Sequence, residues 1–298
     1  MKKDPPAPPT APSNEGPSVV TFANRSKRNR PWGWIVLALL VILAGTAWHA
    51  SRRVPTGSAT GTAISGKTIP ASSSVRTIRI GTWNIHGGTG VDDHRDLGRT
   101  ASCLRELDIA ALNEVHGAWL WQRADQAELL GRQLQLGWLF APAVRQWYHY
   151  DFGNALLTRL PVTQWRRIPL AESDGDPRNL LLADIDWGPR TLHVLLTHAT
   201  RRKSRQRHAQ IEAAFAMFIA QSEPAILLGD LNTDLTDPRL RKLWATPGVT
   251  DPIAALRGLD TWRIDWIFLR GLKAVKAGMI DQGGSDHPVV WAEVALPQ

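Results

Sequence analysis

Ile226-Leu227-Leu228-Gly229-Asp230-Leu231-Asn232-Thr233-Asp234 runs three apolar residues into a glycine, an acid and an amide. A short apolar run closed by a turn signal predicts a buried strand. Asp230 and Asn232 lie two apart, so on an extended chain both point to the same side. There they offer a hard-oxygen acceptor beside a neutral polarising donor. The same letters also fit a strand ending in an Asx turn. The company this stretch keeps bears on the choice.

Elsewhere polar residues recur where apolar runs stop. Arg76 to Thr82 alternates as a strand into Trp83-Asn84-Ile85-His86-Gly87-Gly88, leaving Asn84 at the turn. Leu97, Ala101 and Leu104 repeat at helical spacing. The run Asp108 to Asn113 predicts a buried strand delivering Glu114. An acid there is costly unless exposed, paired or metal-bound, so Glu114 is a metal-ligand candidate. A helix is expected from about Ala118 to Leu136, closed by Gly137. The aromatic-polar stretch Trp147-Tyr148-His149-Tyr150-Asp151 leads into a strand carrying Asn154 and ending before Pro161. Two strands, at about 179–186 and 191–197, form a hairpin through Gly188-Pro189 and finish at Thr197-His198.

The basic block Arg201 to His208 opens a helix whose buried face is Ile211, Phe215 and Phe218. Basic residues at a helix start oppose its dipole, so the block either faces an anion or is a solvated end. Further on, Asp265 sits in an alternating strand among Arg263, Ile264, Trp266 and Ile267. Asp286-His287-Pro288 makes a rigid turn presenting an acid and an imidazole. No Gly-rich phosphate loop followed by lysine is present. Carboxylate and amide oxygens favour Mg²⁺, with Mn²⁺ as the alternative, over zinc.

Taken in order, Thr82-Trp83-Asn84, Asn113-Glu114-Val115, Gly153-Asn154-Ala155-Leu156, Thr197-His198, Gly229-Asp230-Leu231-Asn232, Ile264-Asp265-Trp266-Ile267 and Ser285-Asp286-His287-Pro288 resemble the endonuclease/exonuclease/phosphatase superfamily. This is the DNase I-like fold, and the resemblance spans 76–298. It implies an α+β, four-layer α/β/β/α sandwich of two packed mixed β-sheets flanked by helices. It implies a Mg²⁺-dependent phosphoric ester hydrolase, acting by in-line attack of water without a covalent intermediate.

Carried over residue by residue, the resemblance assigns the metal to Glu114, with Asn84 and Asp286 nearby. It assigns the water to Asp230, and phosphate contacts to Asn154, Asn232 and His198. His287 pairs with Asp265, and both histidines stabilise charge on the phosphate. Asn113 stands where the family usually has a glutamine, one methylene longer. Thr197-His198 is similar to the form in DNase I-like nucleases, sphingomyelinases and related phosphatases, and unlike the abasic-site endonuclease branch. The substrate class stays open between nucleic acid and a phospholipid. A non-catalytic binding module on the same fold is the alternative from another class, although none of the principal residues is missing.

The net charge of +8 comes from the N-terminal part. Residues 1–75 hold nine Lys/Arg against two Asp/Glu, and residues 76–298 hold 26 against 25. The catalytic part therefore gives no whole-domain electrostatic case for nucleic acid. Residues 1–31 read as a disordered basic cytoplasmic tail. Residues 32–50 follow as an apolar transmembrane signal-anchor helix with tryptophans near both ends. The basic residues before it orient the catalytic domain outside the cytoplasm. A cleaved signal peptide, with Gly45-Thr46-Ala47 at the cut, and a buried core helix are the alternatives. Residues 51–75 read as a flexible linker. Cys103 is the sole cysteine, which excludes an intrachain disulfide and a multi-thiol metal site. No obligatory protein partner is implied.

Overall fold

Ile226 and Leu228 face the space between two sheets, while Leu227 faces the helix above them. This period-two alternation on a strand buried on both faces sets the layering of the molecule. The computed structural model describes residues 32–70, 76–119, 122–146, 149–171, 176–202, 205–258 and 262–297. The expected tail at 1–31, the end of the expected linker at 71–75, Trp147-Tyr148 and Lys203-Ser204 lie outside the described residues.

One sheet runs β1 (Arg52–Arg53), β6 (Gly137–Gln146), β7 (Phe152–Thr158), β5 (Ile109–His116), β4 (Thr77–Asn84), β14 (Val289–Ala295) and β13 (Lys273–Ile280), with β3 (Ser65–Gly66) also on β6. The other runs β12 (Asp265–Arg270), β11 (Ala225–Asp230), β10 (Arg190–His198), β9 (Asn179–Trp187), β8 (Val162–Pro169) and β2 (Ala59–Gly61). β4 and β5 are parallel, as are β10 and β11, and their other pairings are antiparallel, so both sheets are mixed. Ile80, Ile109 and Leu156 of the first sheet meet Val194, Leu196 and Ile267 of the second in one core.

Helices cover the outer faces. Leu104 of α2 (Leu97–Leu104) and Leu130 of α3 (Gln126–Leu134) pack on Ala110 and Leu112. Phe215 and Phe218 of α4 (Arg205–Ile219) pack on Leu195, Leu227 and Phe268. The four-layer sandwich expected from the sequence is therefore present.

Several local expectations change. The helix expected over 118–136 is confined to α3, because Asp125 caps its start by accepting from the Glu128 N–H. It ends not at Gly137 but at Gln135, in a left-handed conformation, and Gly137 already begins β6. The segment read as a linker instead supplies β1, β2 and β3 to the sheet edges. Gly61 is needed there, since a Cβ would lie 2.6 Å from the Trp165 indole. The Trp165 indole donates to the Ala63 carbonyl at 3.0 Å, and Arg167 donates to the Pro55 and Gly57 carbonyls. Two short helices, α5 (Pro238–Trp244) and α6 (Pro252–Arg257), fill the segment after Asp234.

Residues 32–51 form a 20-residue helix, α1. The apolar residues from Trp34 to Leu37 and from Leu39 to Leu43 are all exposed, so no face of it is polar. Among the described residues no helix is long and apolar enough to cross a membrane.

Candidate active site

Strand register gathers the polar residues at one edge of the sandwich. His198, Asp230 and Asp265 stand opposite one another across β10, β11 and β12. In the facing sheet Asn84 stands opposite Asn113. Gly229 makes the approach possible: its φ is 137°, and a Cβ would fall 1.8 Å from the Thr197 carbonyl oxygen.

Glu114 is aimed by a break in the ladder. The β5–β7 register shifts between Leu112 and Val115, and Glu114 takes a left-handed φ of 55°. A bulge of this kind re-aims a side chain at the cost of local strain. The carboxylate, 28% exposed, accepts from Asn84 Nδ2 at 3.0 Å. The same Nδ2 donates to Asp230 Oδ2 at 3.1 Å, so Asn84 links the two acids across the sheets. Its own Oδ1 accepts from the His86 N–H, which turns it away from Glu114 and makes Asn84 an orienting group in this state.

Asp230 is 1% exposed. Burial, then the nearby Asp265 charge, push its carboxyl up to about 7, against the pull of His287 and the hydrogen bonds from Asn84 and the Asn232 N–H. His287 lies 4.0 Å away through Nε2, and its Nδ1 is 2.7 Å from Asp265 Oδ2. Burial would depress this imidazole. The Asp265 hydrogen bond and charge, with Asp230 and Asp286, outweigh it and raise the ring to about 9. A carboxyl titrating near neutrality thus faces, at 4.0 Å, an imidazolium held by Asp265.

His198 differs. It is 2% exposed, and burial, Arg178 and His287 hold it well below the ordinary histidine range. Its Nε2 lies 3.5 Å from Asp230 Oδ2 and 3.1 Å from Asn232 Nδ2. Of the two histidines expected to carry charge toward phosphate, one is a cation and the other a neutral polar group. Asn232 does not continue the strand. It turns to φ 51°, and its N–H donates to Asp230 Oδ1 at 2.8 Å. The Asx turn and the functional site are therefore the same feature. Asp286 is 61% exposed, with Oδ1 3.9 Å from His86 Nδ1.

Asn154 corrects an expectation. It is 3% exposed, Oδ1 accepts from Asn113 Nδ2 at 2.8 Å, and Nδ2 donates to Asn179 Oδ1 at 3.0 Å. With both polar atoms engaged and no open face, it braces the site rather than contacting a phosphate. Asn113 completes the brace: its Oδ1 accepts from the Asp230 N–H at 2.9 Å, and its Nδ2 also reaches the Thr197 carbonyl. The shorter amide therefore still supports the site. Asn179, which the sequence does not single out, passes the chain on to the Ala141 carbonyl. Buried amides linked in this way tie the two sheets together beneath Asp230.

Two arrangements offer themselves to a cation. Asp230, Asp265 and His287 present ligand atoms within 4.8 Å of one another. There, however, His287 and Asp265 already share a short hydrogen bond, and a cation would have to displace a strongly held proton. Glu114 has no such conflict: its carboxylate opens to solvent and accepts from the Asn84 amide, with His198 Nε2 at 4.0 Å. Its oxygen donors suit a hard divalent ion.

The model of the Endonuclease/Exonuclease/phosphatase family matches residues 81–287. No curated protein sequence matches the chain. Among solved structures, the endonuclease/exonuclease/phosphatase from Beutenbergia cavernae shares 22% identity at a TM-score of 0.61, covering 74% of this chain and 72% of that one. The corresponding protein from Bacteroides vulgatus shares 17% identity at 0.61, over 74% and 99% of the two chains. D. rerio TDP2 complexed with single strand DNA product shares 19% at 0.57, over 73% and 98%. Identities this low establish the common fold.

Proposed function

This chain belongs to the endonuclease/exonuclease/phosphatase family, and on that premise we propose that it is a divalent-metal-dependent phosphoesterase cleaving phosphodiester bonds. The observation that carries the reading is the grouping of Asp230, His287 and Asp265, with the buried base pinned through its backbone by Asn113 and through its side chain by Asn84.

In this mechanism Asp230 takes the proton of the attacking water, since a carboxyl titrating near 7 is matched to the task. His287, held cationic by Asp265, faces the phosphoryl oxygens and stabilises the charge that grows on them. Asn232 and neutral His198 orient the phosphate from the other side. Glu114 would hold the metal, with Asn84 setting its carboxylate and Asp286 bordering the site. The ion would neutralise phosphate charge and act as a Lewis acid.

The purified protein is expected to hydrolyse bis-p-nitrophenyl phosphate with Mg²⁺ or Mn²⁺ and to stop in EDTA. Glu114→Gln is expected to raise the metal concentration needed for half-maximal rate by about 100-fold, since second-shell changes alone cost 10–100-fold. Turnover indifferent to EDTA, or an unchanged metal titration, would count against this assignment.

We infer further that the apolar segment 32–50 holds the domain at a membrane as a single-pass anchor, with the domain outside the cytoplasm, although the described part of α1 is by itself not long and apolar enough to cross one. The support is its exposed apolar surface, together with six basic residues ahead of Trp32 and few acids. A C-terminal reporter is expected in the membrane fraction and accessible from outside intact spheroplasts. A soluble full-length chain, or a reporter shielded in the cytoplasm, would overturn the anchor or its orientation respectively.

A further inference from the structure

A cavity of about 850 Å³ opens beside Asn232 and runs between the start of α4 and the start of α5. Arg205, Arg207, His208 and Arg239 line it together with Asn232, whose Nδ2 lies 3.1 Å from His198 Nε2, so it adjoins the phosphate side of the proposed cleft. Two of its three arginines are held in place. Arg207 Nη1 donates to the Asn232 carbonyl at 2.7 Å. Arg239 Nη1 bonds His208 Nδ1, and His208 Nε2 bonds Asp237 Oδ2 at 2.9 Å, which fixes the imidazole between the two.

Two acids also line the space, but both are turned to local duties. Asp237 accepts from His208 and from the Arg239 N–H at the start of α5, and Asp234 Oδ1 accepts from Thr236. Arg205 and Arg239 remain exposed at its rim. Apart from Pro238 and Ile264 the lining is polar or charged, so acyl chains would find little apolar surface. Guanidinium groups gathered in a polar, open cavity, two of them bonded in place, suit phosphate oxygens.

Resting on the phosphoesterase reading above, we propose that this cavity is a second phosphate subsite. It takes the phosphate next to the scissile one on a single polynucleotide strand. Arg205 and Arg239 grip that phosphate, and Arg207 joins the subsite to the Asn232 turn. A substrate with one phosphate reaches only the catalytic cleft, whereas a strand engages both places.

The test compares oligothymidylates of two to eight nucleotides with the single-phosphate ester thymidine 5′-p-nitrophenyl phosphate, in wild type and Arg205→Gln/Arg239→Gln. In wild type KM is expected to fall about 10-fold once a second phosphate is present. In the variant that gain is expected to disappear, and the slope of log KM against log salt for the oligomer to lose about one unit per arginine. An equal KM change on both substrates, no change on either, or inositol bisphosphate turned over in preference to the oligomers would overturn the proposal. Binding of a labelled octathymidylate in EDTA, read by anisotropy, separates the two readings. Tight binding lost in the variant supports the subsite even if no ester is cleaved, which would sink the phosphoesterase reading alone. Identical weak binding by both proteins sinks the subsite.

Discussion

Asp230→Asn is expected to lower kcat by about 10³-fold or more at pH 8 while preserving the fold, since a positioned general base contributes roughly 10²–10⁴. Asparagine has the same shape, and the Asn113 amide grips the backbone N–H of residue 230, which the substitution leaves in place. What vanishes is the buried carboxylate that stands 4.0 Å from His287 and 3.5 Å from His198 and could accept the proton of water there.

The substitution also leaves a signature in stability. The folded carboxyl titrates at about 7 against an ordinary 3.8, so between those values the folded state keeps a proton that the unfolded chain has released. Stability from this group is therefore full below about 4 and is lost as pH rises through about 7. In EDTA, the wild-type melting temperature should fall across that window relative to the variant. Parallel Tm curves, or turnover within about 10-fold of wild type, would show that Asp230 is neither strained nor the base.

The layering was legible in the sequence because the central strands are buried on both faces and their alternation separates inter-sheet from helix-facing residues. Ile226, Leu227 and Leu228 carry that information directly. The candidate site residues were legible because they stand at the ends of such runs: Asn84, His198 and Asp230 close their strands, Asp265 opens one and His287 stands just ahead of another. Their roles were less so. Asn154 and Asn113 are letters that could contact phosphate, and only the pairing of β5 with β7 and the approach of β9 show them bonded to one another and to Asn179. The neutral state of His198 arises from full burial beside Arg178 and His287, residues far apart in the chain. Strands β6, β8 and β13 escaped notice because they lie wholly or partly exposed and lack a clean apolar period. Short edge strands such as β2 are invisible to composition, since small polar residues suit a tether and a thin edge equally well.

Asp265→Asn is expected to cost about 10²–10⁴ in kcat/KM, because a carboxylate that fixes an imidazole's tautomer and charge can be worth that much. Its stronger test is the pH profile. In wild type the rate should rise as Asp230 loses its proton near 7 and fall as His287 loses its own near 9. The negative charge of Asp265 raises both groups, so its removal should move both limbs of the profile toward acid. A mere loosening of the fold would lower the plateau without displacing the limbs. The linked stability has a definite sign too. His287, raised from 6.5 to about 9, contributes stability that is complete below about 6.5 and lost as pH climbs through about 9. In the variant that alkaline loss should shrink and begin at lower pH, as read by melting temperature in EDTA between pH 6 and pH 10. Limbs that stay in place while activity falls would show that Asp265 only packs against His287. Limbs that shift toward acid would establish it as the group that keeps the imidazole charged while phosphate is attacked.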